Sequence, residues 1–391
     1  MKPALINGVK ADQAPGPVVR TGDQIRWTYE VTNSGDTPLS HVAVTDDNGD
    51  GFAPYLTEIY RFIPAAGRRD TVYDSKRRLL YISTDAGQVL RYDLARQQFL
   101  QPLNLGGSLL GMDISRDQDT LAVADLTAGP STNRVHVVDL RTNSVRQISF
   151  PLAFYEGGTY TVAFAGNSAL LVTSTFNGSG WVPLRRVDLN DDSFSTIHSV
   201  RQDTMLTRSA DGSTIAYAES NISSGPFGRY RVSAGTFTGS TMDWFAFEVG
   251  VSRDGSQLAV PSYGGTRIYD SNNNLLATIG TYAGTLPIGQ VYSPNSDVVY
   301  FAWTGGQHGS IEAYSTRTLT AVATINPQSQ FDWNGNGAFG NGRLKVSPDG
   351  RWLFTLADGG IQAYGSNDFS SVFKTGDTNG NKLLDPGEVW L

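Results

Sequence analysis

The sequence predicts an all-β fold dominated by a seven-bladed β-propeller, and three observations carry that prediction. The first is a recurring unit of apolar strand, tight polar turn and second apolar strand. Leu344-Lys345-Val346-Ser347-Pro348-Asp349-Gly350 leads into Trp352-Leu353-Phe354, and Val251-Ser252-Arg253-Asp254-Gly255 leads into Leu258-Ala259-Val260. Ser209-Ala210-Asp211-Gly212, Ser293-Pro294-Asn295 and Ser115-Arg116-Asp117 head three more copies, with weaker ones at Tyr73-Asp74-Ser75-Lys76 and Phe164-Ala165-Gly166-Asn167. The second observation is the period. The seven turns are spaced 41 to 54 residues apart, and an all-strand repeat of that length means blades around an axis. The third is composition: 43 glycines among 391 residues, with apolar residues in many short alternating runs, as turn-rich β proteins require.

Within each repeat the motif supplies the two inner strands, a and b, and the segment after it supplies c and d. Arg78-Leu79-Leu80-Tyr81-Ile82-Ser83, followed by Gly87-Gln88-Val89-Leu90-Arg91-Tyr92-Asp93-Leu94, is a clear b–c pair. Runs of this kind resemble those of the YVTN and lactonase-like seven-bladed propellers. In the last repeat Ile361-Gln362-Ala363-Tyr364 reads as strand c, after which the repeat breaks off. Glu58-Ile59-Tyr60-Arg61-Phe62, ahead of the first repeat, is the candidate for its missing d strand, which would close the ring and cover its edges.

The two ends have a different texture. Gly22-Asp23-Gln24-Ile25-Arg26-Trp27-Thr28-Tyr29-Glu30-Val31-Thr32-Asn33 alternates apolar residues on one face, a half-buried strand. Ser34-Gly35-Asp36-Thr37-Pro38 turns the chain, and Leu39, Val42 and Val44 lead to Asp46-Asp47-Asn48-Gly49-Asp50-Gly51. This resembles the Ig-like conserved-repeat modules strung along large bacterial surface proteins. There the Asp-Asp-Asn-Gly turn is soon followed by a segment like Gly376-Asp377-Thr378-Asn379-Gly380-Asn381 and Leu384-Asp385-Pro386-Gly387-Glu388-Val389-Trp390, which here stands at the far end of the chain. The resemblance implies a split Ig-like β-sandwich: residues 1–54 and 372–391 form the module, and the propeller at 55–371 is inserted into one of its loops. The ending in mid-strand at Glu388-Val389-Trp390-Leu391 reads as an excerpt of a longer surface protein.

Asp377 to Glu388 is spaced as a calcium loop. Asp377, Asn379 and Asn381 stand at positions 1, 3 and 5, the Leu383 carbonyl at 7, Asp385 at 9 and Glu388 at 12, so hard oxygen ligands converge on one ion. Lys382 holds position 6, where the turn usually has glycine. Asp46, Asn48 and Asp50 form a second such run, and Asp332, Asn334 and Asn336 a third. The expected cofactor is therefore Ca2+.

Composition narrows the remaining functions. A formal charge of −7 argues against a general nucleic-acid binder. The absence of cysteine removes disulfides, zinc-thiolate sites and thiol nucleophiles. Apolar runs are too short to span a membrane, and Met1-Lys2-Pro3-Ala4-Leu5 turns polar too soon for a secretion signal.

The short Ser-Pro-Asp-Gly turns make one propeller face bland, while the b–c and d–a loops gather aromatics on the other. Tyr155, Trp181, Asp243, Trp244, Tyr263, Trp303, His308 and Trp333 are the candidate ligand contacts, around a shallow pocket at the axis mouth. Aromatic rings beside Gly, Asn and Asp suit recognition, being flat apolar area at low entropy cost. The expected function is adhesin-like: a monomer, outside the cell and next to further repeats of its parent protein, binding a peptide, protein or glycan rather than acting as an enzyme. A lactonase-like hydrolase and a non-binding spacer are the alternatives. For a hydrolase, His308 is the one loop histidine, and Asp125, Glu156, Asp243 and Asp332 are acids that could pair on the same face.

Overall fold

The computed structural model describes residues 5–6, 9–10, 27–28, 30–38, 59–242, 244–280, 285–305, 308–331, 343–365, 386 and 389–390. The chain divides into two compact units, Met1–Gly51 with Asn367–Leu391, and Phe52–Ser366. In the first unit, Leu5–Ile6 pairs with Val9–Lys10 and with Trp27–Thr28. Val31 and Thr32 pair antiparallel with Trp390 and Val389, so residues from both ends of the sequence share one sheet. Asn33 anchors the turn that follows: its Oδ1 accepts from the Gly35 amide at 2.9 Å and its Nδ2 donates to the Thr37 carbonyl at 2.8 Å.

The second unit is a seven-bladed propeller of four-stranded antiparallel sheets, and no helix occurs among the described residues. Blade 1 runs Arg68–Asp74, Leu79–Thr84, Gln88–Asp93 and Gln98–Asn104 from the axis outward. Blades 2 to 6 begin with the inner strands Leu109–Ile114, Glu156–Phe164, Thr204–Arg208, Gly250–Val251 and Pro287–Tyr292. Blade 7 is composite. Its strands Leu344–Val346, Trp352–Ala357 and Gly360–Gly365 are completed on the outside by Ile59–Pro64, in register from Ile59 opposite Gly365 to Pro64 opposite Gly360.

The repeated turn has a common chemistry in blades 2, 4, 5, 6 and 7. Its serine Oγ accepts the amide five residues on, at 2.8–3.0 Å, as in Thr120 to Ser115 and Trp352 to Ser347. The same hydroxyl donates to the Asp or Asn two residues on, as in Ser209 to Asp211 at 2.8 Å. The residue three past the serine closes the turn on the serine carbonyl and takes a positive φ, 71° at Gly255 and Gly350. Glycine is the natural occupant there because an added Cβ is strained in that region. Blade 1 uses Asp74 in place of serine, accepting the Arg77 amide at 2.9 Å.

Seven apolar clusters fill the seven blade junctions. Second strands are buried on both faces, as in Leu79–Thr84, whereas fourth strands alternate, as in Ser144–Pro151. Polar stitches cross the same junctions nearer the axis. Asp70 Oδ2 accepts the Met112 amide at 2.9 Å, Asp113 Oδ2 accepts the Phe164 amide at 2.8 Å, and Thr161 and Thr173 donate to the Thr204 carbonyl. Farther out, fully buried Arg229 of blade 4 donates to the Gly255 and Asp270 carbonyls of blade 5, at 3.0 and 2.5 Å.

Closure of blade 7 gives a direct test. Ile63 is fully buried in the junction between blades 7 and 1, while Phe62, on the strand's other face, is 39% exposed. Ile63→Ala is expected to cost about 2–5 kcal/mol in urea unfolding, and Phe62→Ala much less.

Candidate functional site

The loops joining strands b–c and d–a do present aromatic side chains, in two groups. At blade 3, Phe154 and Tyr155 are 83% and 56% exposed, and their rings meet edge to face at 4.4 Å. Tyr155 stacks on Phe176 at 5.9 Å. Phe176 in turn lies over Gly180, where a Cβ would strike its ring. Trp181 follows, 56% exposed with the Arg201 guanidinium 4.8 Å from its ring centre. Tyr155 holds a φ of 54°, a left-handed conformation rare for a non-glycine residue. Near blade 5, Trp244 is 54% exposed and meets half-buried Tyr263 edge-on at 6.2 Å, with Phe247 also edge-on to Tyr263 at 4.9 Å.

One of the expected contacts is placed differently. Trp303 is the last residue of a second strand and is 2% exposed, packed in the junction core with Phe301 and beneath Gly280. It wedges neighbouring sheets together instead of facing a ligand, because the neighbouring blade packs over it at Gly280. His308 is half-buried, with its Nδ1 lacking a hydrogen-bond partner. Asp243 and Trp333 lie outside the described residues. So do the expected calcium ligands Asp377, Asn379, Asn381, Leu383, Asp385, Glu388, Asp46, Asn48 and Asp50.

Two acids of this face, Glu156 and Asp125, are each neutralised by a cation. Glu156, buried, is clasped by both terminal nitrogens of Arg185, with Nη2 to Oε2 at 2.7 Å, and also receives Ser174 Oγ at 2.6 Å. Burial pushes its pKa up, but Arg185, the Ala153 amide and Ser174 outweigh burial and hold it below the usual range. Asp125 receives Arg134 at 2.6 Å and His136 Nε2 at 3.1 Å. Burial again opposes ionisation; His136, the Thr127 amide, Arg134 and the Ser108 amide bring its pKa down to about 2. Carboxylates held ionised in this way are structural anchors, poorly suited to general acid work.

The turn face is not bland. A cavity of about 450 Å³ opens there on the axis, walled by inner strands of all seven blades and by the first turns of blades 2, 4, 5, 6 and 7. The residue two before each turn serine faces it: Asp113, Thr207, Gly250, Val291 and Lys345. Arg208 donates to Asp113 through Nε at 2.9 Å and Nη2 at 3.2 Å. Arg116 and Arg253 stand exposed at the rim. On the segments leading into the inner strands, buried Arg343 lies 3.1 Å from Glu248 and 3.5 Å from Asp70. Burial raises Glu248 to about 7, even with Arg343 and Lys345 nearby. A charge at one shared register of otherwise apolar strands, Asp113 and Lys345, was the sequence signal for this cavity.

The β-propeller domain of Cps50 (Swd1) from Myceliophteria thermophila is similar in structure, with a TM-score of 0.61 over 79% of this chain and 100% of that chain, at 12% identity. At that identity the likeness shows the fold alone. No family model matches the sequence, and no curated protein matches it.

Two outcomes follow from this geometry. Trp303→Ala should cost about 3–5 kcal/mol of stability as a core truncation, whereas Trp181→Ala should leave the melting temperature nearly unchanged; differential scanning calorimetry separates them. Asp125 is depressed from about 3.9 when unfolded to about 2. Its contribution, on the order of 2–3 kcal/mol, is therefore complete above the unfolded value and lost as pH falls toward 2. Asp125→Asn should flatten the acid limb of stability against pH, measured by urea unfolding between about pH 5 and 2.

Proposed function

We propose that this chain is an adhesin-like, ligand-binding piece of a bacterial surface protein, its propeller meeting an extracellular peptide, protein or glycan through the b–c and d–a loops. One observation carries the reading: Phe154, Tyr155, Trp181 and Trp244 stand 54–83% exposed on that face, while most other large aromatics of the propeller are packed at blade junctions. Exposed rings of this size, beside Gly, Asn and an arginine, mark interaction surfaces.

The Ig-like identity of the first unit rests on its sequence motifs, and the pairing of Val31–Thr32 with Val389–Trp390 is consistent with one module assembled from both ends. In this proposal Ca2+ braces that module through the Asp377-to-Glu388 loop, whose spacing supplies the required oxygens.

Peptide and glycan arrays probed with the whole protein test the binding reading. Tyr155→Ala with Trp181→Ala should weaken any captured ligand at least tenfold, about 1.4 kcal/mol; unchanged capture would sink the reading. Chelation by EDTA should lower the melting temperature of the first unit, with recovery on adding Ca2+ but not Mg2+. A melting curve indifferent to chelation would remove calcium from the account.

A further inference from the structure

The axial cavity on the turn face has a charge balance opposite to that of the chain. Four cations (Arg116, Arg208, Arg253 and Lys345) and two acids (Asp113 and Asp211) line it, within a chain of net charge −7. What decides its ligand is which of these groups still has hydrogen-bonding capacity.

Asp113 has little left, and Asp211 keeps one oxygen, Oδ2. Asp113 Oδ1 accepts from the Ile114 amide at 2.9 Å and Arg208 Nη2 at 3.2 Å; Oδ2 accepts from the Phe164 amide at 2.8 Å and Arg208 Nε at 2.9 Å. Asp211 is turned into its own turn, its Oδ1 taking the Ser213 amide and the Ser209 hydroxyl, each at 2.8 Å. Nor do any three His, Asp or Glu side chains converge as a metal site among the described residues.

The donors are different. Lys345 reaches into the cavity with three N–H donors, and its nearest carboxylate oxygen, on Asp70, is 3.8 Å away. That oxygen already accepts the Thr71 amide at 2.9 Å. Burial and the neighbouring Arg343 push the lysine pKa below its ordinary value, a cost that an incoming negative charge would offset. At the rim, the Arg116 and Arg253 guanidiniums have no ion pair among the described residues. A space of about 450 Å³ lies in the range of small-molecule sites.

From these observations we infer that the axial cavity binds a small organic anion, a carboxylate or phosphate monoester on a body of about monosaccharide size. The oxyanion sits against the Lys345 ammonium, and Arg116 and Arg253 draw it in from the rim. Charge-assisted hydrogen bonds of this kind are the strong ones in such sites. This site is separate from the aromatic face and does not depend on that face binding anything.

Isothermal titration of the whole protein with glucuronate, glucose 6-phosphate and neutral glucose tests it. One or both anions should bind at least tenfold more tightly than glucose. Preference for glucuronate assigns a carboxylate, and preference for glucose 6-phosphate assigns a phosphate. Lys345→Met should cost at least tenfold in affinity for the preferred anion. Arg116→Gln combined with Arg253→Gln, both at exposed positions that do not burden folding, should weaken it severalfold and flatten its salt dependence. The inference is overturned if glucose binds as well as the anions, or if the rim double variant binds like the parent protein. It is equally overturned if none of the three gives heat at about 10 mM, above the millimolar Kd expected of a weak site.

Discussion

The propeller depends on one pairing, that of Ile59–Pro64 with Gly360–Gly365. A ring of sheets is stable only when every blade is packed on both sides, because each apolar cluster is shared between two blades. Leaving blade 7 unfinished would open the cluster that holds Ile63, Tyr73, Leu80, Phe354 and Ile361. Bringing together segments some three hundred residues apart costs about 5 kcal/mol of loop-closure entropy. Burying these five large side chains at about 1.5–3 kcal/mol each offsets it. The same pairing covers two strand edges that would otherwise be open to other chains.

Closure also accounts for the polar interior. Seven inner strands converge on a narrow axis, where their outward neighbours cannot reach every backbone amide. Side chains of the adjoining blade complete the pairing: Asp70 takes the Met112 amide and Asp113 the Phe164 amide. A carboxylate on the axis must then be balanced, and Arg208, Arg343 and Lys345 supply the balance. The cationic excess at the turn face follows from this arrangement. Asp113 is consumed in holding blades 2 and 3 together, while Lys345, two blades away on blade 7, is left with its donors largely unspent.

The two faces thus differ in kind. On one, aromatic rings stand on loops whose acids, Asp125 and Glu156, are locked by arginines and serve to hold the loops in place. On the other, short hydrogen-bonded turns surround a charged well. The first offers broad apolar area and the second a small polar space, so their ligands differ in size and chemistry.

The seven-fold repeat and the turn chemistry were legible in the sequence because each is local, and the closing strand because the last repeat breaks off before its own fourth strand. A serine that caps a turn needs its partners within five residues, and an alternating run such as Ile59 to Pro64 declares a strand wherever it pairs. Side-chain environment was less legible. Trp303 and Trp181 both stand at the edge of an aromatic, glycine-rich loop, yet one is buried against Gly280 of the neighbouring blade and the other lies open. Only the packing of adjacent blades distinguishes them. The axial well was hidden for the same reason. Asp113, Arg208 and Lys345 are far apart along the chain, each looks like a stray charge in an apolar strand, and they become one site only when the ring closes and brings its inner strands around a common axis.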